Sequence, residues 1–264
     1  MIDRYSDVRN YLQVRYPDVF SEGSQSASTK RQYVWFHQCF HHFYQTYNKQ
    51  WDNATAVLLE AGGGPCIYPL ISAAPYVAEI YHSDYMEANR EEVLMWRNND
   101  PDAYDWSPYF RHIVQSLEGQ TSHDAVARRK ERLRSVLKDS APCDFRANIV
   151  VPSVKTPVNI ISSNFCMDVC YESLGEYIGG LKKVYDMLVP KGFLVSLSTL
   201  GLSWCKYGDV TYLSSYPLSL EDIQTHCKGA GFNILHTDKF DEPLESRNIY
   251  NDSVGYSLII AQKP

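Results

Sequence analysis

Residues 58–70, LLEAGGGPCIYPL, run from apolar residues to an acid, then through three consecutive glycines into a second apolar stretch. Three adjacent glycines lose more chain entropy on folding than any other triplet, so they stand where the backbone needs positive φ or close approach. AVLLEA before them has the look of a short buried strand. A strand that ends in a glycine turn and feeds a helix is the nucleotide-site geometry of open α/β sheets. Gly62 and Gly64 permit the tight turn, and the following helix directs its free N–H groups at the ligand. Asp84 lies twenty residues beyond Gly64, at the end of the next strand. A carboxylate there can accept from both ribose hydroxyls. Turn and acid together indicate an adenosine-type cofactor; a structural turn with an unrelated surface acid is the competing interpretation. Spacing alone does not separate a dinucleotide from S-adenosylmethionine. The G-x-G-x-x-G fingerprint is not met, because Ile67 occupies the sixth position from Gly62, and no Walker lysine follows. A single glycine turn fits a ligand without a pyrophosphate.

Outward from this stretch, strands and helices alternate. PYVAEIYHSDY ends in a second strand running to Ser83. EANREEVLMWRNN predicts an amphipathic helix with Asn89, Val93 and Trp96 at helical steps. AVARRKERLRSVLKD predicts a helix whose basic face is solvated. VNIISSNF reads as strand, LGEYIGGLKKVYDML as helix, and VPKGFLVSLSTL as a glycine-led turn into a buried strand. SLEDIQTHCKGAGF starts at a capping serine, Ser219, with Asp222 three residues on, and stops at Gly229 and Gly231. VGYSLIIAQKP is a terminal strand. The pattern predicts a mostly parallel, helix-covered sheet. Residues 1–50 are polar-aromatic and helical. Tyr33, Phe36, Phe40, Phe43 and Tyr47 share one face, and His37 and His41, with no HExxH pattern, are assigned to a solvated face.

Composition bounds the function. The 264 residues suffice for one large domain, with 44% hydrophobic and 21% charged residues and an excess of tyrosine, 20 in all. A net charge of −6 argues against nucleic acid or an anionic membrane as partner. No apolar run approaches the ~18 residues of a membrane span, and the N-terminus has no apolar signal core. The seven cysteines are odd in number and scattered, which predicts reduced thiols in a cytoplasmic protein. Cys166 and Cys170 lack the second pair a zinc site needs, and no metal is expected.

LLEAGGGPCIYPLISA, SDYMEANREEVLMWRNNDPDAYDWSPY, SNFCMDVC, VPKGFLVSLSTL and SSYPLSLEDIQTHCKGAGF make the resemblance specific. In order, from about Tyr11 to Gln262, the chain resembles the small-molecule methyltransferase family that includes nicotinamide, phenylethanolamine and indolethylamine N-methyltransferases. G-G-P-x-I-Y and D-P-x-A-[YF]-D-W-S-P are distinctive of it. The resemblance implies a class I methyltransferase: an α/β fold with a Rossmann-like seven-stranded sheet, helices on both faces and an N-terminal helical lid. It implies a single domain over residues 1–264, with residues 1–50 as the lid and 51–264 as the core. The cofactor would be S-adenosylmethionine, and the protein a monomer acting on a small molecule. Position by position, Tyr11 and Tyr16 would cover the cofactor, with Tyr16 reaching its carboxylate. Gly62, Gly63 and Tyr68 would surround its methionine part, although Gly63 replaces a usual serine and Cys66 a usual threonine. Asp84 would hold the ribose, Tyr85 stack on the adenine side and Asn89 neighbour it. Asp144 and the Phe145 backbone would meet the adenine, and Asn164 would face the methionine portion.

The acceptor positions depart from the family. The acid that holds an amide late in strand five is Ser198 here, and Gly201 and Leu202 stand where the acids that grip a cationic amine would be. The resemblance leaves Tyr16, Asn164, Asp168, Ser198, Trp204, Ser215 and Asp252 as candidate acceptor liners, with Asp168 alternatively capping the next helix and Asp252 in a mobile loop. No catalytic residue is assigned. N-methyl transfer is the leading expectation; sulfur or oxygen methylation, or non-catalytic cofactor binding, are the alternatives.

Overall fold

In the computed structural model the run before the glycines is a strand, β1, Val57–Ala61, with Leu58 to Ala61 buried. The structure describes residues 8–21, 27–207, 210–214, 216–242 and 251–264. The chain divides into two compact units, Met1–Pro142 and Cys143–Pro264.

The first unit opens with helices α1, Val8–Arg15, and α2, Ala27–Tyr47. After β1 come α3, Tyr68–Ala73; β2, Glu79–Asp84; and α4, Glu87–Arg97. They are followed by α5, Ser107–Arg111, continued by a π-helical turn to Leu117, then α6, Ala125–Val136, and β3, Leu137–Pro142. The strands are parallel: β1 pairs with β2, Ala61 opposite Ser83, and β2 with β3, Asp84 opposite Pro142. Parallel neighbours need a crossover, and the helices supply it. Helix α4 turns Asn89, Val93 and Trp96 inward, as the spacing predicts.

The second unit contains β4, Val158–Asn164; α7, Leu174–Asp186; β5, Leu188–Leu200; a hairpin of β6, Trp204–Tyr207, and β7, Val210–Leu213; α8, Leu220–Gly229; β8, Asn233–Asp241; and β9, Gly255–Gln262. Strands β4 and β5 are parallel, while β9 runs antiparallel to both β5 and β8. The continuous burial of β9 from Gly255 to Ala261 matches a sequence that is apolar apart from Tyr256 and the buried Ser257. Helix α8 starts with the predicted capping box, Ser219 with Asp222, and Gly231 behind it takes φ +107°. With three strands in the first unit and four outside the hairpin in the second, the strand set is that of the expected seven-stranded fold.

Several expectations are corrected. The helix predicted over AVARRKERLRSVLKD ends at Val136, and LKDSAP is the strand β3. Two of its six residues are lysine and aspartate exposed to solvent, so no apolar pattern announced a strand. The basic face of α6 is not wholly solvated. Arg129 is buried, donates to both carboxylate oxygens of Glu118 at 2.6 and 2.8 Å and to the Ile71 carbonyl, while Arg132 donates to the Ala74 and Val77 carbonyls. A planar guanidinium satisfied in this way tolerates burial that a lone charge does not. His37 is 0% exposed rather than solvated. It falls within the stripe formed by Tyr33, Phe36, Phe40, Phe43 and Tyr44, and its neighbours are Phe20, Tyr68, Tyr109 and His112. Strand β8, the hairpin and the helix from Ser107 were not anticipated. All seven cysteines are free thiols. Among the described residues no helix is long and apolar enough to cross a membrane.

Burial holds three histidines of the first unit in the neutral form. His82 and His112 are each pushed down from 6.5 to about 4, chiefly by desolvation, and His37 is lowered well below 6.5 for the same reason. Below 6.5 the unfolded chain takes up protons that the folded chain refuses, so stability is full above 6.5 and falls as pH drops towards 4. Urea midpoints measured between about pH 7 and pH 5 are expected to decline steadily, and His37→Phe is expected to flatten the decline.

Candidate functional site

The glycine turn and Asp84 form one hydrogen-bonded unit. Gly62 and Gly64 take φ +72° and +62°, the left-handed region that glycine enters without strain. The Gly62 and Gly63 N–H groups both donate to the Ser83 carbonyl, at 2.9 and 3.0 Å. Gly64 N–H donates to Asp84 Oδ2 at 2.8 Å. Asp84 Oδ1 accepts from Met86 N–H and from Asn89 Nδ2, both at 2.9 Å. Asp84 is thus 8% exposed yet accepts three hydrogen bonds. The turn's own N–H groups fasten it to β2. Arg90 donates to the Asp84 and Tyr85 carbonyls, which fixes the backbone beneath Tyr85, whose side of the site is open: Tyr85 is 51% exposed.

Gly63 lacks a side chain because there is no room for one. A Cβ there would lie 2.6 Å from His82 Nε2 and 2.8 Å from both His82 Cδ2 and Glu60 Cγ. The His82 ring is held at its far side by Ser140, Nδ1 to Oγ 2.7 Å. Glycine at 63 and the histidine at 82 therefore occupy one space and depend on each other.

Tyr68 opens α3, fully buried, with Pro69 in the first turn. Its ring centroid lies 5.6 Å from that of Tyr16, which also packs on Tyr11, Tyr33 and Trp106. The Tyr16 side chain is hydrogen-bonded to Tyr11 and to Cys66. Burial raises the hydroxyl pKa of Tyr11, Tyr16 and Tyr68, so all three remain protonated donors. The structure thus gathers Tyr11, Tyr16 and Tyr68 in one aromatic cluster, and Asp84 with Asn89 and the glycine turn in another arrangement of the same unit.

In the second unit Asp144 accepts from Arg146 N–H at 2.9 Å, and the Phe145 carbonyl accepts from Lys183 Nζ at 3.0 Å. Asn164 ends β4. Its amide donates to Ser162 Oγ and its carbonyl accepts from Leu197 N–H, tying β4 to β5. The next residue, Phe165, has φ +55°, a conformation costing a non-glycine residue roughly 1–2 kcal/mol. No local sequence pattern announces this strained turn, which begins the segment that carries Asp168.

Asp168 does not cap α7; Ser173 does. Its Oδ2 accepts from the Thr199 N–H at 2.8 Å and from the Thr199 hydroxyl. Its Oδ1 is buried and has no hydrogen-bond partner among the described residues. Burial raises the Asp168 pKa above 3.8, against the lowering effect of Thr199. Ser198 is buried beside it in sequence, but successive strand residues face opposite ways, so Thr199 rather than Ser198 meets the acid. Asp252 accepts from the Ser203 and Trp204 N–H groups at 2.9 and 3.1 Å and from the Ser203 hydroxyl. It fastens the start of β6, where a mobile loop was expected. Burial works to raise its pKa, but the bonds from Ser203 and Trp204 outweigh that and hold it below 3.8. Ser215 lies outside the described residues.

The chain matches the NNMT/PNMT/TEMT family over residues 3–264. The chain belongs to this family. It is 30% identical to nicotinamide N-methyltransferase of Homo sapiens over 77% of this chain and 75% of the relative. It is 28% identical to indolethylamine N-methyltransferase of Oryctolagus cuniculus over 97% and 94%. Among solved structures, the magnesium protoporphyrin IX methyltransferase of Synechocystis, crystallised with bound S-adenosylhomocysteine, aligns with a TM-score of 0.54 at 13% identity, covering 97% of this chain and 98% of that one. The fold is therefore the Rossmann-like class I methyltransferase fold. The protein is an S-adenosylmethionine-dependent small-molecule N-methyltransferase.

Restoring the family's serine should expose the coupling at Gly63. Gly63→Ser is expected to destabilise the protein by about 1–3 kcal/mol through overpacking against His82. The double variant Gly63→Ser, His82→Leu, in which a flexible alkyl chain replaces the rigid ring, is expected to recover part of that loss. Denaturant unfolding of the four proteins of the cycle measures it.

Proposed function

We propose that the first unit holds S-adenosylmethionine at the glycine turn and Asp84, and that the second unit presents Asp168 to a small nitrogen acceptor. The observation that carries the cofactor assignment is the Asp84 carboxylate. A carboxylate offers about four acceptor sites. Gly64, Met86 and Asn89 fill three, which leaves one for a ribose hydroxyl beside the exposed Tyr85 ring, a face on which an adenine can stack. The crowding at Gly63 suits this use, since the turn lets a ligand approach the backbone with no side chain between. Tyr11 and Tyr16 cover the cofactor as part of a lid formed by residues 1–50, and Tyr68, from the core, packs around its methionine end, within a single methyltransferase domain. Asp144, the Phe145 backbone and Asn164 complete the contacts.

When bound, S-adenosylmethionine supplies a methyl group already activated by its sulfonium. The chain's task is then to orient the acceptor, exclude water and manage a proton. Asp168 Oδ1 suits the last of these. One oxygen of the carboxylate is anchored by Thr199, while the other is buried with no partner among the described residues, so it can accept an N–H of an ammonium or heterocyclic acceptor. Asp168 thereby takes the place of the strand-five acid that Ser198 lacks, and Ser198, Trp204, Ser215 and Asp252 shape the surroundings. The net charge of −6 favours a neutral or cationic small molecule over nucleic acid, and the protein acts as a cytoplasmic monomer.

Asp84→Ala removes a charge-assisted bond to the ribose and is expected to weaken S-adenosylhomocysteine binding by about 1.5–3 kcal/mol, read by calorimetry on a variant shown to be folded. Unchanged affinity would overturn the cofactor assignment. Asp168→Asn keeps an acceptor for Thr199 but cannot take a proton. It is expected to lower kcat/KM for amine acceptors roughly 10- to 100-fold with cofactor affinity unchanged. In the wild type, activity should fall as pH drops through the raised Asp168 pKa, because the proton-accepting form is lost. An amine-methylation profile identical in the two proteins would remove Asp168 from the acceptor site.

A further inference from the structure

The excess of tyrosine has a use at the end of α1. Pro17 stops that helix, because proline disfavours the helical conformation in the residue before it and has no N–H to donate. The Leu12 carbonyl still accepts the Tyr16 N–H, and after that the chain leaves the helix. The carbonyls of Arg15, the last helical residue, and of Tyr16 and Pro17 beyond it are taken by tyrosine hydroxyls from three separate segments. Tyr33 of α2 donates to the Arg15 carbonyl, and Tyr104, between α4 and α5, to the Tyr16 carbonyl. Tyr109 of α5 donates to the Pro17 carbonyl at 3.3 Å. Tyr33 and Tyr109 are buried, and burial raises the Tyr104 hydroxyl to about 12, so it remains a donor across the physiological range. The other end of α1 is tied as well. Arg9 Nε lies 2.6 Å from Glu92 Oε2, and Glu92 Oε1 accepts the Tyr104 N–H at 2.9 Å. One buried carboxylate thus joins the start of α1 to the residue that clasps its end.

We propose that Tyr33, Tyr104 and Tyr109 are positioning residues that latch the segment Tyr11–Pro17 shut and set how long the cofactor product stays bound. The proposal rests on the assignment of Tyr11 and Tyr16 as the cofactor cover. The hydroxyls grip backbone on both sides of the Tyr16 side chain, whose ring touches those of Tyr11, Tyr33, Tyr68 and Trp106. Opening the segment breaks these bonds together and exposes three hydroxyls and three carbonyls at once, which makes opening cooperative. A segment held in this way moves between discrete positions, and such closures often limit turnover through product release.

Dissociation of S-adenosylhomocysteine, followed by stopped-flow fluorescence, tests the latch. Each Tyr→Phe variant removes one oxygen and no ring. Tyr104→Phe is expected to speed release roughly fivefold, and Tyr33→Phe with Tyr104→Phe more than tenfold, with association little changed. Arg9→Gln, at a partly exposed position, is expected to speed release in the same direction and serves as the second variant. A structural role alone would lower the melting temperature of the free protein and leave the release rate where it was. Tyr16→Ala separates the two levels of the argument. If Tyr16→Ala accelerates release while the Phe variants and Arg9→Gln do not, the latch is wrong and the cover stands. If Tyr16→Ala also leaves release unchanged, the cover itself is wrong and the latch falls with it.

Discussion

The carboxylate of Asp84 accepts from the Gly64 N–H, the Met86 N–H and the Asn89 amide, so one buried charge joins the glycine turn, the end of β2 and the first turn of α4. An ionised carboxylate without donors costs several kcal/mol to bury. Three donors offset that cost and convert the charge into a constraint on every element that supplies one. The two bonds from Gly62 and Gly63 to the Ser83 carbonyl complete the constraint from the backbone side. Gly63 without a side chain, His82 behind it and Ser140 on β3 follow from the same demand. The turn is pulled so close to β2 that the space normally open to a side chain belongs to the β2 histidine.

What the sequence revealed of this arrangement was its local part. Positive φ at Gly62 and Gly64, the strands on either side, the inward face of α4 and the capping box of α8 follow from periodicity and residue chemistry within a few positions. Non-local partners stayed hidden. Arg129 looked like solvated charge because nothing near it in sequence identifies Glu118 and the Ile71 carbonyl as its partners. His37 looked solvated because a polar residue in an aromatic stripe is scored by type, whereas the helix buries it by position. Strand β3 was invisible because its buried residues, Leu137, Ser140 and Ala141, follow neither alternation nor an apolar run, and its partner β2 supplies the reason it is extended. Spacing singled out Asp84, and helical periodicity placed Asn89 on the inward face of α4, where the two meet. The strained backbone at Phe165 and the anchoring of Asp252 and Asp168 depend on contacts 31 to 49 residues apart, or on one residue's dihedral, and no local pattern encodes them.

Tyrosine is suited to the first unit because it supplies a large apolar ring and one hydroxyl at a low cost in side-chain freedom. Tyr33, Tyr68 and Tyr109 are buried in the aromatic cluster around Tyr16 and His37, and two of the three send their hydroxyls to main-chain carbonyls. Leucines in their place would fill the volume and leave those carbonyls unsatisfied, at about 1–3 kcal/mol for each buried group. The same residues therefore fill the core and terminate α1.

On the proposed assignment of Asp168, the second unit would supply its acceptor-site acid from outside the strand. With Ser198 on β5, no carboxylate projects from that position. A positive φ at Phe165 turns the chain after β4 and is followed by a short helical turn from Cys166 to Cys170, in which Val169 and Cys170 both bond back to the Cys166 carbonyl. Asp168 sits within that turn and reaches the Thr199 N–H, near the end of β5. The strain at Phe165, roughly 1–2 kcal/mol, is of the same order as one charge-assisted hydrogen bond. The bond to Thr199 can therefore hold the turn in place while only one carboxylate oxygen is used. An acid on the strand itself would be aimed by the pleat of the sheet. An acid on a turn can be re-aimed by a change of one or two residues in that turn, and so can follow an acceptor of different shape while β4 and β5 stay fixed.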